Sequence, residues 1–186
     1  CQFMQSMRLE DNLLKGMMKM DVQIENAPIK TLRFSSEQEL DNLDIRGKNI
    51  ANLRTIDNKH WELDLQSPQI GKMSFELNWQ SSVSDNQIEM SAVKLVGAKR
   101  QSGHLVFYAP SNISLKYENL NAYKKVDFRE LDSLKTPKDL ASSRACFKSL
   151  NVDSSMKVNL DVKSLAKSLP AEVKSLDIHT QVGIDS

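Results

Sequence analysis

Across 186 residues, 25 lysines and arginines nearly cancel 24 aspartates and glutamates, which excludes the long-range field that gathers nucleic acid, an anionic membrane or an acidic substrate. With 40% hydrophobic and 26% charged residues, the chain has the composition of a folded globular protein and not of a disordered one. Apolar runs such as Leu13-Leu14 and Met17-Met18 fall far short of the roughly 20 residues that a membrane-spanning helix needs.

The chain opens at Cys1 and passes at once to Phe3, Met7 and Leu9, with no initiator methionine, signal peptide or polar tether. We therefore expect a module cut from a longer chain rather than a lipoprotein matured at an acylated cysteine. Period-two alternation then dominates. Met18, Met20, Val22 and Ile24 share one face of a predicted strand, and Lys19, Asp21, Gln23 and Glu25 share the other. Trp61, Leu63 and Leu65 repeat the pattern, as do Met73, Phe75, Leu77 and Trp79, with Ser74, Glu76 and Asn78 on the opposite face. Gln101-Ser102-Gly103 lies between predicted strands 93–98 and 104–108, and Ala109-Pro110-Ser111-Asn112 leads to a strand marked by Ile113, Leu115 and Tyr117. These turn residues predict successive hairpins. Thr136-Pro137-Lys138-Asp139-Leu140-Ala141 has the signature of a short helix, with Thr136 as cap and Pro137 in the first turn. Met156, Val158, Leu160 and Val162 form another stripe; residues 162–169, ahead of Pro170, read as a second short helix or a polar loop. Leu176, Ile178, Thr180, Val182 and Ile184 make the last and longest stripe.

Strands with one polar face do not suit a parallel sheet covered on both sides, whose strands read as continuous apolar runs. The expected fold is all-β: an antiparallel β-sandwich with at most one or two short helices, formed as a single module over residues 1–186.

Chemistry is sparse. Two cysteines, Cys1 and Cys146, form no CxxC pair, and Cys146 between Ala145 and Phe147 reads as a small buried hydrophobe. None of the three histidines has a second His or a Cys at i+2 or i+4; His179 and His104 read as strand residues. His60 has Asp57, Trp61 and Glu62 nearby, a set that could tune an acid–base group, but Asp57-Asn58-Lys59 also reads as the turn of a surface hairpin. Gly71-Lys72-Met73-Ser74-Phe75 lacks the second glycine of a nucleophile elbow, and the six glycines form no phosphate-binding loop. Asn112-Ile113-Ser114 matches a glycosylation sequon and reads as a turn end. Lys94, Lys99 and Arg100 add local positive charge, which reads as a solvated sheet edge, and Val126-Asp127-Phe128-Arg129-Glu130-Leu131 as an apolar anchor with a charged rim. We assign no catalytic, cofactor-binding or metal-ligating residue and expect no cofactor.

The runs Leu43-Asp44-Ile45-Arg46-Gly47-Lys48-Asn49-Ile50, Trp61 to Leu65 and Ile70 to Leu77, then Val96 to Leu105 and Val126 to Leu131, resemble β-rich extracytoplasmic segments of large, uncharacterised bacterial cell-envelope membrane proteins. The likeness spans roughly residues 15 to 185 and is one of pattern. It implies a module in the periplasm or on the cell surface, tethered to the membrane through other parts of its protein, and it implies no activity. The expected function is non-enzymatic: a scaffold or interaction module that binds another protein, or another part of its own polypeptide, through sheet edges and loops. It is expected neither to bind nucleic acid nor to insert in the membrane itself. A carbohydrate-binding sandwich is the alternative and requires Trp61, Trp79 and Tyr108 to be exposed for stacking. A glycoside hydrolase with paired carboxylates is the third reading.

Overall fold

The alternating run at residues 18–24 is the middle of a much longer strand. The structure, a computed structural model, describes residues 1–10, 13–83, 86–110, 113–131 and 143–162. The short helix at 136–141, the segment 163–170, the stripe at 176–184, His179 and Asn112 lie outside the described residues.

Two 23-residue strands, β2 (Leu13–Ser35) and β5 (His60–Ser82), form the spine. Their apolar residues fall on one face because the side-chain period of a strand is two. Leu14, Met18, Met20, Val22, Ile24, Leu32 and Phe34 of β2 are buried, as are Trp61, Leu63, Leu65, Met73, Phe75, Leu77 and Trp79 of β5. The ladder between them carries two compensating irregularities. From Ile24 to Ile29 four residues of β2 stand against one of β5; from Ile29 to Thr31 four residues of β5 stand against one of β2. Pro28, which has no N–H to donate, falls in the first bulge. Such bulges bend a strand, and Phe34 meets Phe75 edge-on with ring centroids 5.5 Å apart.

β3 (Asp41–Gly47) and β4 (Ile50–Asp57) run end to end along the other edge of β5. On its opposite side β2 pairs with β1 (Gln2–Glu10) and, at Phe34 and Ser35, with the short β7 (Lys94–Leu95). Beyond β1 the sheet continues through β8 (Ser102–Tyr108), β11 (Ser143–Ser149) and β10 (Tyr123–Val126), nine strands in all. A second sheet of three strands has the order β6 (Gln87–Ser91), β12 (Ser155–Val162), β9 (Ile113–Glu118). Its Ile88, Met90, Met156 and Val158 join the residues of β1, β2 and β5 in one core, and Tyr117 of β9 meets Phe147 of β11 at 5.0 Å between centroids. The molecule is all-β, with two sheets facing one another, and among the described residues its helical content is two 3-10 turns, Leu120–Ala122 and Phe128–Leu131.

Two expectations need correction. The larger sheet is mixed, because β1 and β8 run parallel, Gln2 opposite Ser102 through Arg8 opposite Tyr108. A parallel pair needs a long connection, which the chain supplies with everything from β2 to β7. The successive hairpins are absent as well. β7 pairs with β2, β8 with β1 and β11, and β9 belongs to the other sheet. Gly103 is a strand residue, not part of a turn: a Cβ there would stand 2.0 Å from the Phe3 carbonyl oxygen of the parallel neighbour.

The outer face of β8 and β11 has a small core of its own. Val106, Tyr108 and Cys146 are covered there by Leu131, with Val126 and Phe128 packed alongside. Cys146 is thus the buried small residue its neighbours suggested, and residues 126–131 serve as an anchor.

Candidate functional site

Among the described residues, those singled out in the sequence do not converge on one site. His60 Nδ1 lies 2.9 Å from Asp57 Oδ1, and the same oxygen accepts the Lys59 N–H at 2.8 Å, so the pair closes the exposed turn between β4 and β5. The Lys59 backbone bond, then the His60 bond, hold the Asp57 carboxyl below its ordinary range. Trp61 points to the opposite face of β5 from His60 and Glu62 and gives them no apolar wall. Glu62 is held between Arg33, at 2.8 Å, and Arg54, and Arg54 also reaches Asp64 at 2.9 Å. These residues sit in register across β2, β5 and β4, a row of alternating charge on the polar face. This region is therefore a surface hairpin braced by ion pairs.

Trp61, Trp79 and Tyr108 are only 1%, 2% and 3% exposed, so they form no stacking platform. Each lies on the core-facing side of its strand or under a covering segment, and the Arg8 guanidinium lies 5.3 Å from the Tyr108 ring centre. Glu39, Asp41 and Glu89 line a recess of about 390 Å³ at the far end of the sheet. Among the described residues no three His, Cys, Asp or Glu side chains group as metal ligands, and no helix is long and apolar enough to cross a membrane.

A concavity of about 770 Å³ lies elsewhere, on an interrupted edge of β2. β1 covers this edge of β2 only as far as Asp21, and β7 resumes at Phe34, with the Val96 N–H donating to the Arg33 carbonyl at 2.8 Å. Among the described residues no strand pairs with residues 22–32 on that side. The gap includes the bulge at residues 25–28, where Asn26 has φ 71°. Its apolar lining comes from Val22, Ile24, Ile29 and Leu32 on β2, and from Leu95 and Ala98 beside it. Val96 on the rim is 48% exposed.

One wall of this slot is a chain crossing between the sheets, and two glutamines hold it. The buried Gln5 amide donates to the Ser91 carbonyl at 2.8 Å, and its oxygen accepts the Val93 N–H at 3.1 Å. Gln101 repeats the arrangement one step on, donating to the Val93 carbonyl at 2.7 Å and accepting the Leu95 N–H at 2.8 Å. The two side chains satisfy backbone groups that have left one sheet and not yet entered the other. At Gly97, with φ +83°, the chain turns off the edge of β2 and leaves the slot open.

Of the basic residues noted in the sequence, Lys94 pairs with Asp153, whereas Lys99 and Arg100 are exposed on the slot's rim. Sequence reasoning did not find the slot. The signal it carried was Asn26-Ala27-Pro28, a breaker set between two apolar alternations. No family model matches this chain, and no curated protein matches it.

Proposed function

We propose that the chain is a non-enzymatic interaction module that accepts an extended polypeptide along the open edge of β2. The observation that carries this reading is the interruption between Asp21 and Phe34, a strand edge that pairs with no strand among the described residues, beside a cavity of about 770 Å³ lined by apolar and charged side chains. An exposed strand edge is a template for another strand: the backbone ladder supplies affinity, and pockets for alternate side chains supply selectivity. The outermost edge, along β3 and β4, is guarded by Asp41, Asp44, Arg46, Lys48, Arg54 and Asp57, the charged pattern that discourages strand addition. The slot's β2 wall, in contrast, is apolar at alternate positions. The resemblance to extracytoplasmic segments of bacterial envelope proteins supports a place outside the cytoplasm, within a larger membrane-tethered protein.

The test is selection of binders from a library of unstructured peptides displayed on phage, with the wild-type chain as bait. Peptides selected this way are expected to lose at least tenfold in affinity when Ala98→Trp fills the slot, while far-UV circular dichroism stays unchanged. Failure to select any peptide, or selection of peptides indifferent to Ala98→Trp, would overturn the proposal. Protease accessibility of the full-length protein in intact spheroplasts tests the location: protection until lysis places the module inside the cytoplasm.

A further inference from the structure

The slot's boundaries set the direction and the side-chain pattern of what fits it. Resting on the reading above, we infer that its occupant is a partner strand of about seven residues that runs antiparallel to β2, with apolar side chains alternating with carboxylates.

The direction follows from the two strands that bound the gap. β1 and β7 lie on the same edge of β2 and both run antiparallel to it. A third segment with that orientation begins beside Val96, ends beside Cys1 and joins two interrupted ladders into one. The length follows from the gap of residues 22–32, of which 25–28 bulge out of register.

The apolar positions follow from the pleat. Val22, Ile24 and Leu32 face the core, while Gln23, Thr31 and Arg33 face outward. A strand laid beside them presents its own alternate residues to the same two faces. Those facing inward meet Val22, Ile24 and Leu32 along one side and Leu95 and Ala98 along the other, so branched apolar side chains fill the cavity.

The charge follows from an imbalance on the rim. Five charged side chains line the slot: Glu25, Arg33, Glu62, Lys99 and Arg100. Arg33 and Glu62 neutralise each other at 2.8 Å. Two cations, Lys99 and Arg100, then remain against the single carboxylate of Glu25. Neither cation has an ion-pair partner among the described residues. The planar guanidinium of Arg100 suits a carboxylate, which it can hold through two hydrogen bonds.

Three end-capped, fluorescein-labelled heptapeptides test the inference by fluorescence anisotropy, with amide hydrogen exchange read over β2. One alternates valine with glutamate. The second has lysine in place of glutamate, and the third is the glutamate peptide N-methylated at alternate backbone nitrogens. The glutamate peptide is expected to bind at least tenfold tighter than the lysine peptide, to protect amides within residues 22–32, and to lose binding on N-methylation. The doubly reversed variant K99E/R100E, with unchanged circular dichroism, is expected to invert the preference. Equal binding of the glutamate and lysine peptides, both sensitive to N-methylation, overturns the charge pattern and leaves the edge reading standing. Binding that ignores N-methylation, or no binding while the amides of residues 22–32 that point away from β5 exchange freely, overturns both. Alternate amides of this stretch already bond to β5, so the reading is taken from those that point away from it; their protection before any peptide is added overturns the partner strand, because the chain then covers its own edge.

Discussion

Gln5 shows how much of this fold rests on single polar side chains. It is fully buried, and its amide meets two backbone groups more than 80 residues away, the Ser91 carbonyl and the Val93 N–H. Leaving each of these unsatisfied costs about 1–3 kcal/mol. Gln5→Ala is therefore expected to destabilise the protein by about 2–5 kcal/mol, read from the urea unfolding midpoint. Gln101→Ala, at a partly buried position where water can reach the freed groups, is expected to cost less. Equal losses, or a Gln5→Ala cost below about 1 kcal/mol, would refute the account of the crossing chain. Tyr123 supplies a second test at this scale. Burial pushes its phenol up to about 12, and the hydroxyl donates to the Ser154 carbonyl. The folded state thus holds this proton more tightly than the unfolded chain, whose value is near 10. Its contribution is fully present below the unfolded value and is lost as pH rises through the folded one. Tyr123→Phe is expected to flatten the fall in stability between about pH 10 and 12; an unchanged slope would exclude Tyr123 as its source. Neither role was legible in the sequence. A glutamine in a strand reads as solvent-facing, and only contacts between distant segments distinguish Gln5 from Gln23 on the surface.

Asn49 governs the joint between β3 and β4, where the end-to-end strands leave residues 66–74 of β5 with no strand partner on that edge among the described residues. Its φ is 64°, and its side-chain oxygen accepts both the Ser67 N–H and the Ser67 hydroxyl at 2.9 Å. Its amide donates to the Ser67 carbonyl at 2.9 Å and to Gln69 Oε1 at 3.1 Å. One side chain thus stands in for a ladder rung opposite the bulge that contains Pro68. Asn49→Gly keeps the backbone conformation and loses the bonds; Asn49→Ala loses the bonds and adds left-handed strain of about 1–2 kcal/mol. The expected order of thermal midpoints is Asn49, then Gly, then Ala, and Ala equal to or above Gly would contradict the strain argument. The clearest alternating strands share one property, core on one face and water on the other, whereas 104–108 was placed only by the turn residues around it. The shared property holds for residues 18–24, 61–65, 73–79 and 156–160. β8 breaks the rule because Leu105 and Phe107 enter the main core while Val106 and Tyr108 enter the small one, so four consecutive residues are buried. β1 is buried on both faces at Phe3, Met4 and Gln5 and loses its period for a similar reason. The far half of β2 was hidden by Pro28, which reads as a strand breaker until a bulge removes its nitrogen from the ladder.

Alternation shows which side of a strand is wet, but not which strand lies beside it. All-β character and two packed sheets were therefore legible, whereas the β1–β8 parallel pair, the crossing at residues 91–95 and the slot on β2 were not. Each depends on pairings between distant parts of the chain, and neighbours in sequence such as β8 and β9 end in different sheets. The slot follows from this topology, because β1 and β7 approach the same edge of β2 from opposite ends without meeting. Whether the arrangement behaves as one body is testable with its two tryptophans. Trp61 lies beyond the paired bulges, beside Phe34, and Trp79 lies before them, opposite Gly16. Both belong to one continuous core that includes residues of the smaller sheet. Trp61→Phe leaves Trp79 as reporter, and Trp79→Phe leaves Trp61. In each variant the fluorescence midpoint in urea is expected to coincide with that variant's own far-UV circular dichroism midpoint, the signature of a single cooperative transition. The comparison within each variant removes the destabilisation that either substitution brings. If Trp61 reports its transition at lower urea than the backbone signal, the region beyond the bulges unfolds on its own. The β2 edge would then be a hinge between two units, and not a rigid slot within one.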